Sequence, residues 1–104
     1  MEQDLQLVKE CLKNNRAFQK QLYQQYAEVM LGVCYRYTKS LADAEDILQE
    51  GFIRVFKNLH QYRQDGQLGA WIRRIMVTSA LNYLKKNAKY QQDQKKKKID
   101  LHPV

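Results

Sequence analysis

Hydrophobic residues recur every three or four positions along most of this chain, and no segment shows the alternation typical of a β-strand. This period places apolar side chains on one face of an α-helix. The chain has 4 glycines and 1 proline, and the proline is the penultimate residue, so long helices can run without a break. The pattern predicts four helices, at about 4–14, 17–37, 41–59 and 69–89, packed as a compact all-α bundle.

Local signals mark some of the helix ends. Asp4 is a candidate N-cap of the first helix, and the pair 14–15, two asparagines, ends that helix. Ser40, followed three residues later by Asp43, resembles a capping box at the start of the third helix. Gly51 lies inside the third helix, where it costs roughly 1 kcal/mol relative to alanine. Close packing against a neighbouring helix would explain a glycine there.

The segments between and after the helices are polar. Residues 60–69 carry two of the glycines and predict a loop. Beyond Lys89 no apolar period continues. We therefore expect a helical domain over residues 1–90 and a flexible basic tail over residues 91–104.

Charge is unevenly distributed along the chain, whose net charge is +7. From Gly66 to Lys98 there are nine lysines and arginines and one acid, whereas from Asp43 to Glu50 there are four acids and no base. This separation predicts one acidic and one basic surface, for different partners.

Several classes of function have no support in the sequence. Cys11 and Cys34, with His60 and His102, do not show metal-ligand spacing, and two buried reduced thiols fit a cytosolic protein. No catalytic grouping or phosphate-binding loop is present, so we expect no enzyme, no metal and no cofactor. Without an apolar run of about 18 residues or a signal peptide, we expect a soluble cytoplasmic protein.

The acidic segment allows two interpretations. Its polar residues are spaced by three and four positions, which places them on about one side of the third helix. Such a patch can dock onto a basic surface. It is also explained as a solvated helix face with favourable charges near a helix N-terminus, and composition alone favours that explanation. The residues are Asp43, Asp46, Gln49 and Glu50.

The segment 70–86 has two helical faces. An apolar stripe contains Trp71, Ile72, Ile75, Met76, Ser79, Ala80 and Tyr83. A second, polar and basic face contains Arg74, Thr78, Asn82, Lys85 and Lys86. The preceding loop offers groups that can stack on bases, donate hydrogen bonds or neutralise phosphate: His60, Tyr62, Arg63, Gln64 and Gln67. An ordinary solvated loop and helix end is the alternative, but the local excess of positive charge favours nucleic-acid binding.

Three segments together resemble a known family. They are FQKQLYQQYAEVMLGVCYRYT (18–38), ADAEDILQEGFIRVFKNL (42–59) and GAWIRRIMVTSALNYLKK (69–86). In this order they resemble region 2 of bacterial sigma-70 family transcription initiation factors, and especially the small extracytoplasmic-function (ECF) subgroup. The resemblance implies a helical region 2 fold and no catalysis.

The resemblance implies one partner for the acidic helix. Region 2 of this family docks on the clamp helices of the β′ subunit of RNA polymerase through the polar face of its DxxQE helix. That face corresponds to Asp46, Gln49 and Glu50, with Asp43 at its periphery. This implication reverses the interpretation from composition alone. The resemblance also implies an anti-sigma factor as a partner.

The resemblance implies promoter DNA as the partner of the loop and the fourth helix. In the family these elements recognise the −10 element, open the duplex and capture a flipped base of the non-template strand. The corresponding residues in the fourth helix are Trp71, Arg73, Arg74, Thr78, Ser79, Asn82, Lys85 and Lys86. The loop contributes Tyr62, Arg63, Gln64 and Gln67.

The chain also departs from the family pattern. Many small members have asparagine where this chain has Thr78, and aspartate where it has Asn82, so the preferred −10 sequence is open. The sequence given contains no helix-turn-helix of region 4, so either it is a piece of a longer protein, which we expect, or the protein acts with region 2 alone. Two rivals stay open: a region 2-like bundle that binds polymerase or another protein without reading DNA, and a generic RNA-binding helical domain.

Overall fold

The computed structural model describes the backbone of residues 2–63 and 66–100, and side chains within 3–88. Helix α1 is Glu2–Leu12, α2 is Arg16–Thr38, α3 is Leu41–Asn58 and α4 is Leu68–Asp100, and a 3-10 turn at Leu59–Gln61 follows α3. Within these ranges there is no β-strand. The predicted all-α bundle of four helices is confirmed.

Capping side chains decide where α2 and α3 begin. The Asn15 side chain accepts a hydrogen bond from the Ala17 backbone N–H at 3.2 Å, so Asn15 is the N-cap of α2. Ser40 accepts from the Asp43 N–H at 3.3 Å, which confirms the predicted N-cap of α3. The prediction for Asp4 is wrong, because α1 already begins at Glu2 and Asp4 lies within it.

Helix α4 is longer than the apolar pattern predicts. It continues to Asp100, so the expected end of the helix near Lys89 is wrong, while the flexible basic tail over 91–104 stays a prediction. The apolar period does end there, but lysine and glutamine have high intrinsic helix propensity and no glycine or proline interrupts this segment. The last part of the predicted tail, 101–104, lies outside the described residues.

The hydrophobic core lies between α2, α3 and α4, and α1 packs against α2. Leu22, Ile47 and Ile72 are among the fully buried side chains. Cys11 and Cys34 are free thiols buried in this core, as predicted. Burial is the first cause that raises the pKa of both thiols, so both stay protonated and unreactive near neutral pH.

Gly51 is the point of closest approach between α3 and α4. A Cβ atom built on Gly51 would overlap the Sδ atom of Met76 and lie 3.0 Å from its Cε atom. Further along α4, Tyr83 reaches Asp43 near the start of α3, so the two helices are antiparallel. The helix with the acidic segment and the helix with the basic segment therefore share one interface, and their exposed faces point away from it.

Candidate nucleic-acid interface

The loop between α3 and α4 is held by a hydroxyl and an aromatic contact. The Tyr62 backbone N–H donates to the Leu59 carbonyl at 3.1 Å and ends the 3-10 turn. The Tyr62 hydroxyl donates to the Gly66 carbonyl across the loop. Its ring packs against Trp71, with centroids 5.6 Å apart and planes inclined by 50°. The backbone N–H of Trp71 in turn donates to the Gln67 carbonyl at 3.2 Å, which ties the start of α4 to the loop.

A cavity of about 400 Å³ opens between this loop and the first turns of α4. Its volume lies within the range typical of small-ligand pockets. Two aromatic rings, two guanidinium groups and two carboxamides line it, and these are groups that can hold a base by stacking and hydrogen bonds. Five residues predicted to bind DNA line it: Tyr62, Arg63, Gln67, Trp71 and Arg74. Gln61, Gly66 and Ala70 complete the wall.

Two predicted loop residues are not part of this cavity as described. His60 is exposed on the 3-10 turn but does not line the cavity. Gln64 lies outside the described residues. Trp71 is half-buried, because one side packs against the core while the other lines the cavity.

The polar and basic face of α4 is exposed to solvent from the cavity to the last described side chains. The residues predicted to bind DNA and found exposed there are Arg73, Arg74, Thr78, Asn82, Lys85 and Lys86. Arg74 joins this face to the loop cavity, whereas Arg73 does not line it. Thr78, Asn82 and Lys85 line a second cavity of about 440 Å³, together with Leu81, Leu84 and Ala88.

Ser79 does not belong to the exposed face. Its side chain is 1% exposed, and its hydroxyl oxygen is buried with no hydrogen-bond partner among the described groups. The position belongs to the apolar stripe with Met76 and Ala80, and that stripe faces the core. The prediction that Ser79 contacts DNA is therefore wrong, and its place in the apolar period was the signal that should have excluded it.

The acidic face of α3 is also brought to the surface. Asp46, Gln49 and Glu50 are exposed, whereas Asp43 is half-buried. The Arg54 guanidinium donates to a carboxylate oxygen of Glu50, with 3.0 Å between Nη2 and Oε1. Asp43 faces α4, since a hydrogen bond from the Tyr83 hydroxyl to its carboxylate is the first cause that raises the pKa of Tyr83.

Two features beside the acidic face were missed from the sequence. A groove of about 340 Å³ runs between α2 and α3 beside Gln49, and it combines apolar walls with two carboxylates. Ile53 is 67% exposed and follows Gln49 and Glu50 at helical spacing, so it adds an apolar group to this face. The groove had no signal in the sequence, because packing of two helices creates it. It is lined by Tyr23, Ala27, Glu28, Leu31, Glu45, Leu48 and Gln49.

The described part of the chain holds no group of three histidine, cysteine, aspartate or glutamate side chains that could bind a metal ion. Within the same part, none of the helices is both long enough and apolar enough to cross a membrane.

Together these features give a helical domain with two chemically different surfaces. One side presents an acidic helix with a partly apolar groove, and the other presents an aromatic and cationic cavity that continues into a basic helix. Both surfaces are built on one shared hydrophobic core.

Comparison with models of protein families identifies the family of this domain. The model described as "Sigma-70 region 2" matches residues 22–90, which is more than half of the chain. The chain belongs to the sigma-70 region 2 family, as the three segments predicted.

Curated relatives carry names of the same family. The chain is 31% identical over 83 residues to the RNA polymerase sigma-H factor of Pseudomonas aeruginosa, which covers 80% of this chain and 43% of that protein. It is 33% identical to the ECF RNA polymerase sigma factor SigE of Mycolicibacterium smegmatis, and the match covers 66% of this chain and 26% of that protein. It is 30% identical to the ECF RNA polymerase sigma-E factor of Haemophilus influenzae, and the match covers 78% of this chain and 42% of that protein. The chain thus spans less than half the length of these relatives.

A solved structure has the same fold. It is an engineered region 2 of sigmaE, determined by NMR in complex with GTAAAA. The TM-score is 0.75 at 27% identity, and the match covers 81% of this chain and 87% of the other.

Proposed function

We propose that this chain is a promoter-recognition domain that binds RNA polymerase with one side and promoter DNA with the other. The loop cavity and the basic face of α4 bind the non-template strand of the −10 element in its unpaired form. The observation that carries this proposal is the convergence of five predicted residues in one aromatic and cationic cavity at the start of the basic helix. The similar sigmaE region 2, which is in complex with GTAAAA, supports it.

Opening of DNA by such a domain needs no chemical step. A cavity that accepts one base can hold it only when that base has left the duplex stack. Tyr62 and Trp71 offer stacking surfaces, and Arg63 and Arg74 can neutralise the adjacent phosphates. Because the domain binds the unpaired state better than the duplex, binding shifts the equilibrium toward open DNA. The proposed role is therefore non-enzymatic and requires no cofactor.

The acidic side is proposed to bind the clamp helices of the β′ subunit of polymerase. Asp46 and Glu50 supply exposed negative charge, which attracts a basic partner and sets its orientation. The α2–α3 groove beside Gln49 supplies apolar surface that the partner can bury. An anti-sigma factor as a further partner, and a cytoplasmic location, are parts of the proposal that rest on family membership.

The DNA side is tested by fluorescence. Trp71 is the chain's sole tryptophan, so its emission reports directly on the cavity. Adding single-stranded GTAAAA should change this emission, and affinity should fall steeply as salt rises. Duplex DNA of the same sequence is the control and should bind more weakly. Absence of binding at low ionic strength, or binding that salt does not affect, would refute the proposal.

The polymerase side is tested by charge reversal. Asp46→Arg and Glu50→Lys should each abolish binding to the isolated β′ clamp helices while circular dichroism stays unchanged. Thr78→Ala, on the exposed face of α4, is the control and should bind the clamp helices normally. Unchanged binding of both charge-reversal variants would remove this part of the proposal.

A second candidate is a region 2-like bundle that binds polymerase but does not read DNA. Thr78 favours it, because many small family members have asparagine there. Polymerase capture together with failure to bind GTAAAA and other single strands would support this candidate. Binding of RNA with indifference to the clamp helices would instead support an RNA-binding domain.

A further inference from the structure

We infer that Leu81 and the Thr78 methyl group form an apolar contact for the 5-methyl group of a thymine on the DNA face of α4. This inference rests on the proposed function and adds a specificity-determining contact to it. Leu81 was not among the predicted DNA-binding residues.

The first observation is the position of Leu81. Its side chain is 47% exposed, although leucine at the surface is not by itself unusual. Its neighbours on the surface of the helix are the exposed side chains of Thr78, Asn82 and Lys85. A large exposed apolar side chain therefore lies next to three polar or basic ones on this part of α4.

The second observation is the cavity around Leu81. Leu84, Ala88 and Leu81 give it apolar walls, and Thr78, Asn82 and Lys85 supply the polar edge. All six lining residues belong to α4. Among the described residues no other element contributes to it, so it is an open depression on one helix that a ligand lying along α4 can reach.

The charges around the cavity favour a polyanion as the occupant. Arg74, Lys85 and Lys86 are exposed on the same helix, and the sequence from Gly66 to Tyr90 contains no acid. A basic protein segment would be repelled, whereas a DNA backbone would be attracted. The cavity is also continuous with the proposed interface, because Thr78, Asn82 and Lys85 belong to both.

Thymine is the occupant that fits the apolar walls. It is the base of DNA that carries a methyl group, and proteins read that methyl by apolar contact, including contact with a threonine methyl. Asn82 and the Thr78 hydroxyl can meanwhile hydrogen-bond to the polar edges of the same or a neighbouring base. The cavity can therefore distinguish thymine from uracil.

The test measures the effect of a single methyl group. A single thymine is moved along an adenine-rich strand, starting from GTAAAA, and each strand is compared with its deoxyuridine counterpart. We expect the wild-type domain to bind deoxyuridine about threefold to fourfold more weakly at one position and equally at the others. Leu81→Ala should remove most of this difference, and Thr78→Ser, which keeps the hydroxyl, should reduce it.

Leu41→Ala is the matched control, because Leu41 is 56% exposed but lies at the start of α3. This variant should keep the full methyl discrimination. If strands bind with no methyl effect at any position, or if the effect survives in Leu81→Ala, the inference is wrong while the proposed function stands. If no strand binds, both are wrong. If Leu81→Ala leaves DNA binding unaltered and weakens binding of a protein partner, the cavity is a protein-docking surface and the inference is again wrong.

Discussion

At the scale of single residues, Ser79 shows that a polar side chain on a largely polar and basic helix need not face solvent. Its hydroxyl oxygen is buried without a partner in the described part of the chain. A buried hydroxyl without a hydrogen bond destabilises the folded state. Ser79 is therefore a stability position, whereas its neighbour Thr78 is exposed and free to contact a ligand.

The first prediction concerns this pair. Ser79→Ala should raise the free energy of unfolding by about 1 kcal/mol, because it removes the unpaired hydroxyl and improves helix propensity. Its affinity for single-stranded DNA should not change. Thr78→Ala should weaken binding of single-stranded DNA and change the free energy of unfolding by no more than about 0.5 kcal/mol. Urea unfolding and Trp71 fluorescence measure the two effects. If Ser79→Ala loses DNA binding while its free energy of unfolding stays unchanged, Ser79 does contact DNA.

Glu50 provides a second prediction at this scale. Its carboxylate already pairs with Arg54 at 3.0 Å, one helical turn later. Exposed pairs of this spacing contribute about 0.2–0.5 kcal/mol, so Arg54 competes weakly with a polymerase partner for Glu50. Arg54→Gln should therefore strengthen binding to the β′ clamp helices by about twofold, measured by calorimetry.

Lys57→Gln is the matched control for Arg54→Gln. Both changes remove one positive charge from α3, and Lys57 is exposed in the last turn of the same helix. Any effect of net charge alone should be equal in the two variants. Weaker binding in Arg54→Gln would mean that Arg54 itself contacts the partner.

At the scale of helices, the contact between α3 and α4 depends on the absence of a side chain. Gly51 leaves space that the thioether of Met76 occupies. Gly32 is also helical, in α2, but a Cβ atom there would meet nothing within 4 Å. The two glycines therefore have opposite consequences when they are replaced.

The third prediction uses this contrast. Gly51→Ala should destabilise the domain by about 1–3 kcal/mol, because overpacking outweighs the gain in helix propensity. Gly32→Ala should stabilise it by about 0.5–1 kcal/mol. Thermal unfolding of both variants measures the difference. Equal effects of the two changes would show that Met76 can move away at no cost.

The fourth prediction concerns the polar contact between the same helices. The hydrogen bond to Asp43 raises the pKa of Tyr83, and burial raises the pKa of Tyr26. A raised pKa in the folded state means that the protonated hydroxyls stabilise the fold below about pH 10, the ordinary value for tyrosine. This stabilisation is lost as pH rises through the folded pKa values. The free energy of unfolding should therefore fall in alkaline solution.

Asp43→Asn separates the two tyrosines. It removes the carboxylate beside Tyr83, so the pKa of Tyr83 should fall toward its ordinary value while that of Tyr26 stays raised. NMR titration of the tyrosine ring carbons resolves the two residues. A pKa of Tyr83 that does not respond would show that Asp43 is not its partner.

The helices themselves were largely predictable, because they depend on local features. The apolar period identified all four, and Ser40 marked the start of α3. The end of α4 was missed because helix propensity, rather than an apolar face, continues the helix beyond Lys89. Asp4 was misplaced because an acidic residue in the first turn of a helix and an N-cap look alike in sequence.

At the scale of the whole molecule, the fold packs an acidic helix against a basic one. Helices α3 and α4 meet through Gly51 and Met76, and nearer the start of α3 both Asp43 and Asp46 raise the pKa of Tyr83 on α4. The face proposed to bind polymerase and the face proposed to bind promoter DNA are therefore built on two helices that share one interface.

The sequence by itself determined the helical class, the separation of charge and the family, because period, charge and motif are properties of neighbouring positions. The tertiary structure alone decided which side chains share a space. It brought Tyr62 and Trp71 together at one cavity and opened the α2–α3 groove. These features depend on how separate segments pack, and the spacing of residues along one helix does not determine the distances between helices.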